Sequence, residues 1–145
     1  MKILRLIFLG ALIISTGRAT PDVPAIVKDG FDAYIAKGLP SAFERWMRGS
    51  ALEGDTTSRL QLVGGLTQIE SAYGKIQAYE ILGAYSLSAR LKRVYTVSYY
   101  PKGPVFAFFD LYKTDKDDWV LYMFFFNTKP GEILPRELID KKQAD

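Results

Sequence analysis

Trp119 to Phe126, in the stretch WVLYMFFFN, are eight consecutive apolar or aromatic residues near the end of a 145-residue chain. On a strand, successive side chains point to opposite faces, so Trp119, Leu121, Met123 and Phe125 would face one way and Val120, Tyr122, Phe124 and Phe126 the other. Both sets are apolar, so both faces of such a strand need cover. Leaving four of these side chains in water would forgo roughly 6–12 kcal/mol, an upper bound. Residues 104–113, PVFAFFDLYK, repeat the pattern, with Val105, Ala107 and Phe109 set against Phe106 and Phe108. The sequence therefore predicts a sheet with helices on one face and a second cover on the other. A second copy packed sheet to sheet is the simplest cover. A C-terminal tail folded back over a strongly curved sheet is the alternative.

The helices are legible upstream. In PAIVKDGFDAYIAKG (24–38), Val27, Phe31, Tyr34 and Ile35 form one apolar stripe, and Gly38 is placed to end the helix. A second short helix is expected at PSAFERWMRG, with Ser41 and Glu44 at capping-box spacing and Phe43, Trp46 and Met47 on one face. SALEGD then reads as a loop. Asp55 is expected to cap a third helix carrying Leu62, Leu66, Ile69 and Tyr73, with a costly Gly64-Gly65 pair that implies a close neighbour or a break. Strands are expected at 75–82, 89–100, 104–113 and 119–127, with turns at Gly83, 101–104 and 114–118. Three helices followed by a four-stranded meander describe an α+β domain over 20–135, with a charged tail at 136–145.

The first 19 residues have the layout of a secretory signal peptide. Lys2 and Arg5 precede an apolar run from Leu6 to Ile14, and Gly17 and Ala19 suit cleavage after Ala19. Export to a periplasm or the exterior is the expectation. Cleavage would remove Lys2, Arg5 and Arg18, taking 19 basic residues to 16, equal to the 16 acidic ones. A neutral mature chain gives no electrostatic case for nucleic acid.

Helices followed by a curled meander resemble the cone-shaped α+β fold of the nuclear transport factor 2-like superfamily. Locally, YGKIQAYEIL, RVYTVSYYPKGPVFAFFDLYK and DDWVLYMFFFNTKPGEILP are similar to small exported bacterial members, with Tyr73-Gly74, Gly103-Pro104 and Trp119 the most distinctive pieces. The resemblance implies a pocket between sheet and helices and a dimer formed through the sheet. It does not decide activity, because the superfamily contains enzymes, ligand binders and assembly modules.

Histidine and cysteine are both absent, which removes Ser-His-Asp and Cys-His nucleophiles and the usual zinc sites. Asp115, Asp117 and Asp118 cluster in a turn that lacks the pattern of a calcium loop, so no metal or other cofactor is expected. Asp110, inside the apolar VFAFFDLY, is the one candidate acid or base, with pairing to Lys92 or Arg93 as its structural alternative. Tyr34, Tyr79, Tyr99 and Tyr122 could supply hydroxyls beside it, and Trp46 completes the candidate pocket. Arg90, Lys92 and Arg93 could form an anion-recognising rim or defend an exposed strand edge. The expected function is a non-catalytic domain binding a small apolar ligand or a protein segment. The alternatives are a metal-independent lyase or isomerase using Asp and Tyr, and a purely structural interaction module.

Overall fold

The computed structural model describes residues 22–140. The expected leader (1–19) and the last five residues of the charged tail lie outside them. Four helices precede the sheet and one short helix follows it: α1 (Ala25–Lys37), α2 (Leu39–Trp46), α3 (Ala51–Gly54), α4 (Thr56–Tyr73), β1 (Ala78–Ser88), β2 (Leu91–Tyr100), β3 (Gly103–Lys113), β4 (Trp119–Asn127) and α5 (Arg136–Asp140). The strands form one antiparallel sheet in the order β1-β2-β3-β4. The architecture is α+β, with two more short helices than the sequence suggests. SALEGD contains the single turn α3 instead of a loop, and the charged tail begins as α5.

Local signals act mostly as expected. Gly38 ends α1 at φ 91°, and Asp55 caps α4 by accepting from the Ser58 backbone N–H at 3.1 Å. The capping box at Ser41 does not form, because α2 begins earlier, at Leu39, with Pro40 in its first turn and Ser41 inside it. Ile35 turns outward, unlike Val27, Phe31 and Tyr34. α4 runs unbroken through Gly64-Gly65, and the Phe126 ring lies against Gly65. Gly83 is no turn. β1 continues past it with a register shift between Ile81 and Gly83.

Two of the distinctive sequence pieces meet in space. Gly74 caps α4 at φ 93°, where a Cβ would press on Pro101, and the Tyr73 ring lies against Gly103. The Lys102 N–H donates to the Tyr73 carbonyl at 3.1 Å. The end of the long helix is thereby fastened to the β2–β3 hairpin.

The core lies between the helices and one sheet face. Val27, Phe31, Phe43, Trp46, Val94, Phe109, Leu111, Leu121 and Phe124 are buried there. β4 does not alternate as the sequence implies. The register shifts opposite Asp110 and Leu111, so Leu111 pairs with Leu121 while Asp110 pairs with Met123. Trp119 and Leu121 therefore share the helix side with Phe124 and Phe126, and Tyr122 and Met123 are both exposed. A bulge inserts one residue and swaps the facing of everything beyond it.

Thr96 is buried on the helix side between the Ile81 and Ala107 pairings, and its hydroxyl has no partner. An unmade buried hydrogen bond costs about 1–3 kcal/mol. Thr96→Val is therefore expected to raise stability by about 1 kcal/mol in urea denaturation. A loss of stability would mean that the hydroxyl is bonded in solution.

Candidate functional site

The six candidate residues divide between the two sides of the sheet. Tyr34, Trp46 and Tyr79 are on the helix side, whereas Tyr99, Asp110 and Tyr122 are on the outer side. No single pocket gathers them.

On the helix side the space is filled by rings. Trp46 is 1% exposed and meets Phe31, Phe43, Phe109 and Phe124 at centroid distances of 5.0, 5.8, 5.3 and 5.5 Å. Its indole N–H donates to the Val27 carbonyl at 3.2 Å. Tyr79 stacks on Phe31 at 4.4 Å and donates its hydroxyl to Asp32 at 3.2 Å. These residues build the core and offer no platform to a ligand, because the pocket expected between sheet and helices is occupied by the protein's own aromatics.

Tyr34 has a different setting. Its hydroxyl lies 3.3 Å from that of Tyr100, both side chains being buried. Burial pushes both phenols above their ordinary value, and the nearby Glu70 charge adds to each. Sequence reading missed Tyr100 and Glu70, because nothing local marks an interaction across 66 residues. A consequence appears at high pH. Above pH ~10 the unfolded chain loses phenolic protons that the folded chain keeps, so unfolding gains. Stability should be flat for these groups below pH ~9 and fall above ~10, by at most about 1.4 kcal/mol per pH unit per tyrosine. The variant Tyr34→Phe/Tyr100→Phe should show a shallower fall between pH 9 and 11 in urea denaturation.

On the outer side, Asp110 is held by Arg93, whose Nε and Nη2 donate to the two carboxylate oxygens at 2.6 Å each. The guanidinium also lies over the Phe108 ring, 4.2 Å from its centroid. Hydrogen bonding to Asp110 raises the Arg93 guanidinium further above its usual value. No tyrosine hydroxyl bonds to Asp110 among the described residues, and its side chain is only 2% exposed. Ion pairing, the alternative weighed for Asp110, is what the geometry shows.

The neighbouring cations are equally engaged. Arg90 pairs with Asp115 at 2.8 Å, and the buried Lys92 amine reaches the Asp22 carboxylate at 2.7 Å while lying over Trp119. These three cations form neither a free anion rim nor an edge defence, since β2 is an inner strand. In the β3–β4 turn, Lys113 takes Asp117 at 2.6 Å and Asp117 adopts φ 69°.

Beside the Arg93–Asp110 pair runs an aromatic row that crosses all four strands: Tyr85, Tyr95, Phe108 and Phe125. Successive centroid distances are 5.9, 6.3 and 5.9 Å, and Phe108 and Phe125 stack nearly parallel. Tyr95 and Val97 are buried on this face, whereas Tyr85, Tyr112, Tyr122, Met123 and Phe125 are exposed, Phe125 by 59%. A separate groove of about 700 Å³, between Arg45, Arg48 and the β3–β4 turn, contains none of the six candidates. No helix among the described residues is long and apolar enough to cross a membrane. Family models, curated proteins and solved structures give no match to this chain.

Proposed function

We propose that this chain is an exported, non-catalytic interaction domain that acts through the outer face of its sheet, with a second copy of itself as the partner. The observation that carries the reading is the aromatic row whose two ends, Tyr85 and Phe125, are exposed, with Tyr122 and Met123 exposed near Phe125. An apolar strip of this kind on a protein surface favours a dry partner. The charges of the Arg93–Asp110 pair beside it already neutralise each other. A second copy meets such a face without net-charge repulsion, because the chain after residue 19 carries 16 charges of each sign. A two-fold arrangement also uses one patch twice and closes on itself.

The finer fold assignment, a cone of the nuclear transport factor 2-like kind, is part of the same proposal. It is supported by the helices preceding the meander and by the fastening of Tyr73-Gly74 onto Gly103. The lyase or isomerase reading is weaker, because its candidate base is bound to Arg93 on both oxygens.

Sedimentation equilibrium tests the proposal. The protein is expected to be dimeric at tens of micromolar, and Phe125→Glu, at an exposed position, should give a folded monomer with an unchanged circular dichroism spectrum. A native chain that stays monomeric at that concentration overturns the reading.

A further inference from the structure

A second feature lies away from the outer sheet face, where α1 passes into α2 and α4 runs alongside. A crevice of about 500 Å³ opens there, lined by Tyr34, Lys37, Leu39, Val63, Glu70 and Lys75 among others. Tyr34 belongs to both the crevice wall and the buried hydroxyl pair with Tyr100. Two hydroxyls carry two protons, and only one proton can lie between the two oxygens. The other needs an acceptor, and Glu70 is the carboxylate whose charge acts on both hydroxyls. Glu70 is itself half-buried.

Lys37 and Lys75 are exposed where they line the crevice, whereas Glu70 is half-buried. The ion pairs among the described residues are Arg90–Asp115, Lys92–Asp22, Arg93–Asp110 and Lys113–Asp117, and none includes Glu70, Lys37 or Lys75. A half-buried carboxylate without a cation is costly unless something else supplies one. The remaining lining includes the apolar side chains of Leu39, Val63 and Ile76, two of which are almost fully buried.

We infer that this crevice binds a small zwitterion of the α-amino acid class with an apolar side chain. The ligand's ammonium faces Glu70, its carboxylate faces Lys37 and Lys75, and its side chain lies on Leu39, Val63 and Ile76. A simple carboxylate would set a second anion beside Glu70, and a simple amine would set a third cation beside the two lysines. Only a ligand with both charges on one small body matches all three groups. The inference is independent of the sheet-face proposal, since none of these residues lies on the outer face.

Isothermal titration calorimetry on the purified protein decides it, using L-leucine, 4-methylpentanoate and 3-methylbutylamine. These carry both charges, the carboxylate alone and the ammonium alone on similar branched chains. L-leucine is expected to bind at least about tenfold more tightly than either analogue, since each analogue leaves either Glu70 or the two lysines without a partner on the ligand. Glu70→Gln should abolish the preference for L-leucine over 4-methylpentanoate, and Lys75→Gln should reduce its preference over 3-methylbutylamine. Absence of L-leucine binding at millimolar concentration overturns the inference, as do equal affinities for the three compounds. Should either variant fail to fold, the comparison on the native protein decides alone.

Discussion

Gly30→Ala is expected to destabilise the protein by about 3 kcal/mol or to prevent folding, although alanine is the better helix former by about 1 kcal/mol. Gly30 lies in α1 beneath the Trp46 indole, and a Cβ there would fall 1.9 Å from Nε1 and 2.2 Å from Cδ1. No ring atom can stay at that distance. Trp46 cannot retreat either, since Phe31, Phe43, Phe109 and Phe124 stand around it. Moving it would also break the indole bond to Val27. The internal control is Gly64→Ala in α4, where a Cβ meets nothing within 4 Å. That substitution is expected to stabilise by up to about 1 kcal/mol from helix propensity alone. Gly65→Ala should fall between the two, because its Cβ meets only the tip of the half-buried Phe126 ring, at 2.7 Å. Urea denaturation of the three variants provides the check. Equal effects at Gly30 and Gly64 would mean that Trp46 does not lie on α1.

Removal of Arg93 is expected to cost about 3–5 kcal/mol, more than removal of its partner Asp110. The asymmetry follows from exposure: the Asp110 side chain is 2% exposed and that of Arg93 31%. Arg93→Ala strands a buried carboxylate that has lost both of its 2.6 Å donors. Asp110→Ala leaves a guanidinium that can still reach water and still rests on Phe108, so a loss of about 1.5–3 kcal/mol is expected from the broken charged hydrogen bonds. The double variant Arg93→Met/Asp110→Leu should recover most of the stability, because an apolar pair of similar volume escapes the desolvation cost. All four proteins must be compared at one protein concentration, since a dimer would add its own stabilisation. A larger loss for Asp110→Ala than for Arg93→Ala would contradict the burial seen here.

The candidate site was only partly legible in the sequence. The anomaly of Asp110 in an apolar strand pointed to an ion pair, and register supplied Arg93 as the partner lying directly across from it. Tyr34 and Trp46 were identified as buried because they recur on helical stripes. That they are core and not ligand platform follows from how tightly the surrounding rings fill the space. Glu70 and Tyr100 gave no sequence signal at all. An ordinary glutamate on a helix and a terminal strand tyrosine become a constellation only when α4 is fastened beside α1 and the sheet.

Sequence by itself determined the types and order of the helices α1, α2 and α4 and of the four strands. Helical stripes, the Asp55 cap and runs of aromatic and β-branched residues are local properties, fixed by neighbours a few positions away. It also determined that both faces of β4 would be apolar. Tertiary structure alone decided which residues occupy each face. One bulge at Tyr122–Met123 moved Trp119 and Leu121 to the side of Phe124, and strand alternation gives no hint of a slipped register. It decided the hydroxyl pair and the clearance at Gly30 as well, because both depend on distances between segments far apart in the chain.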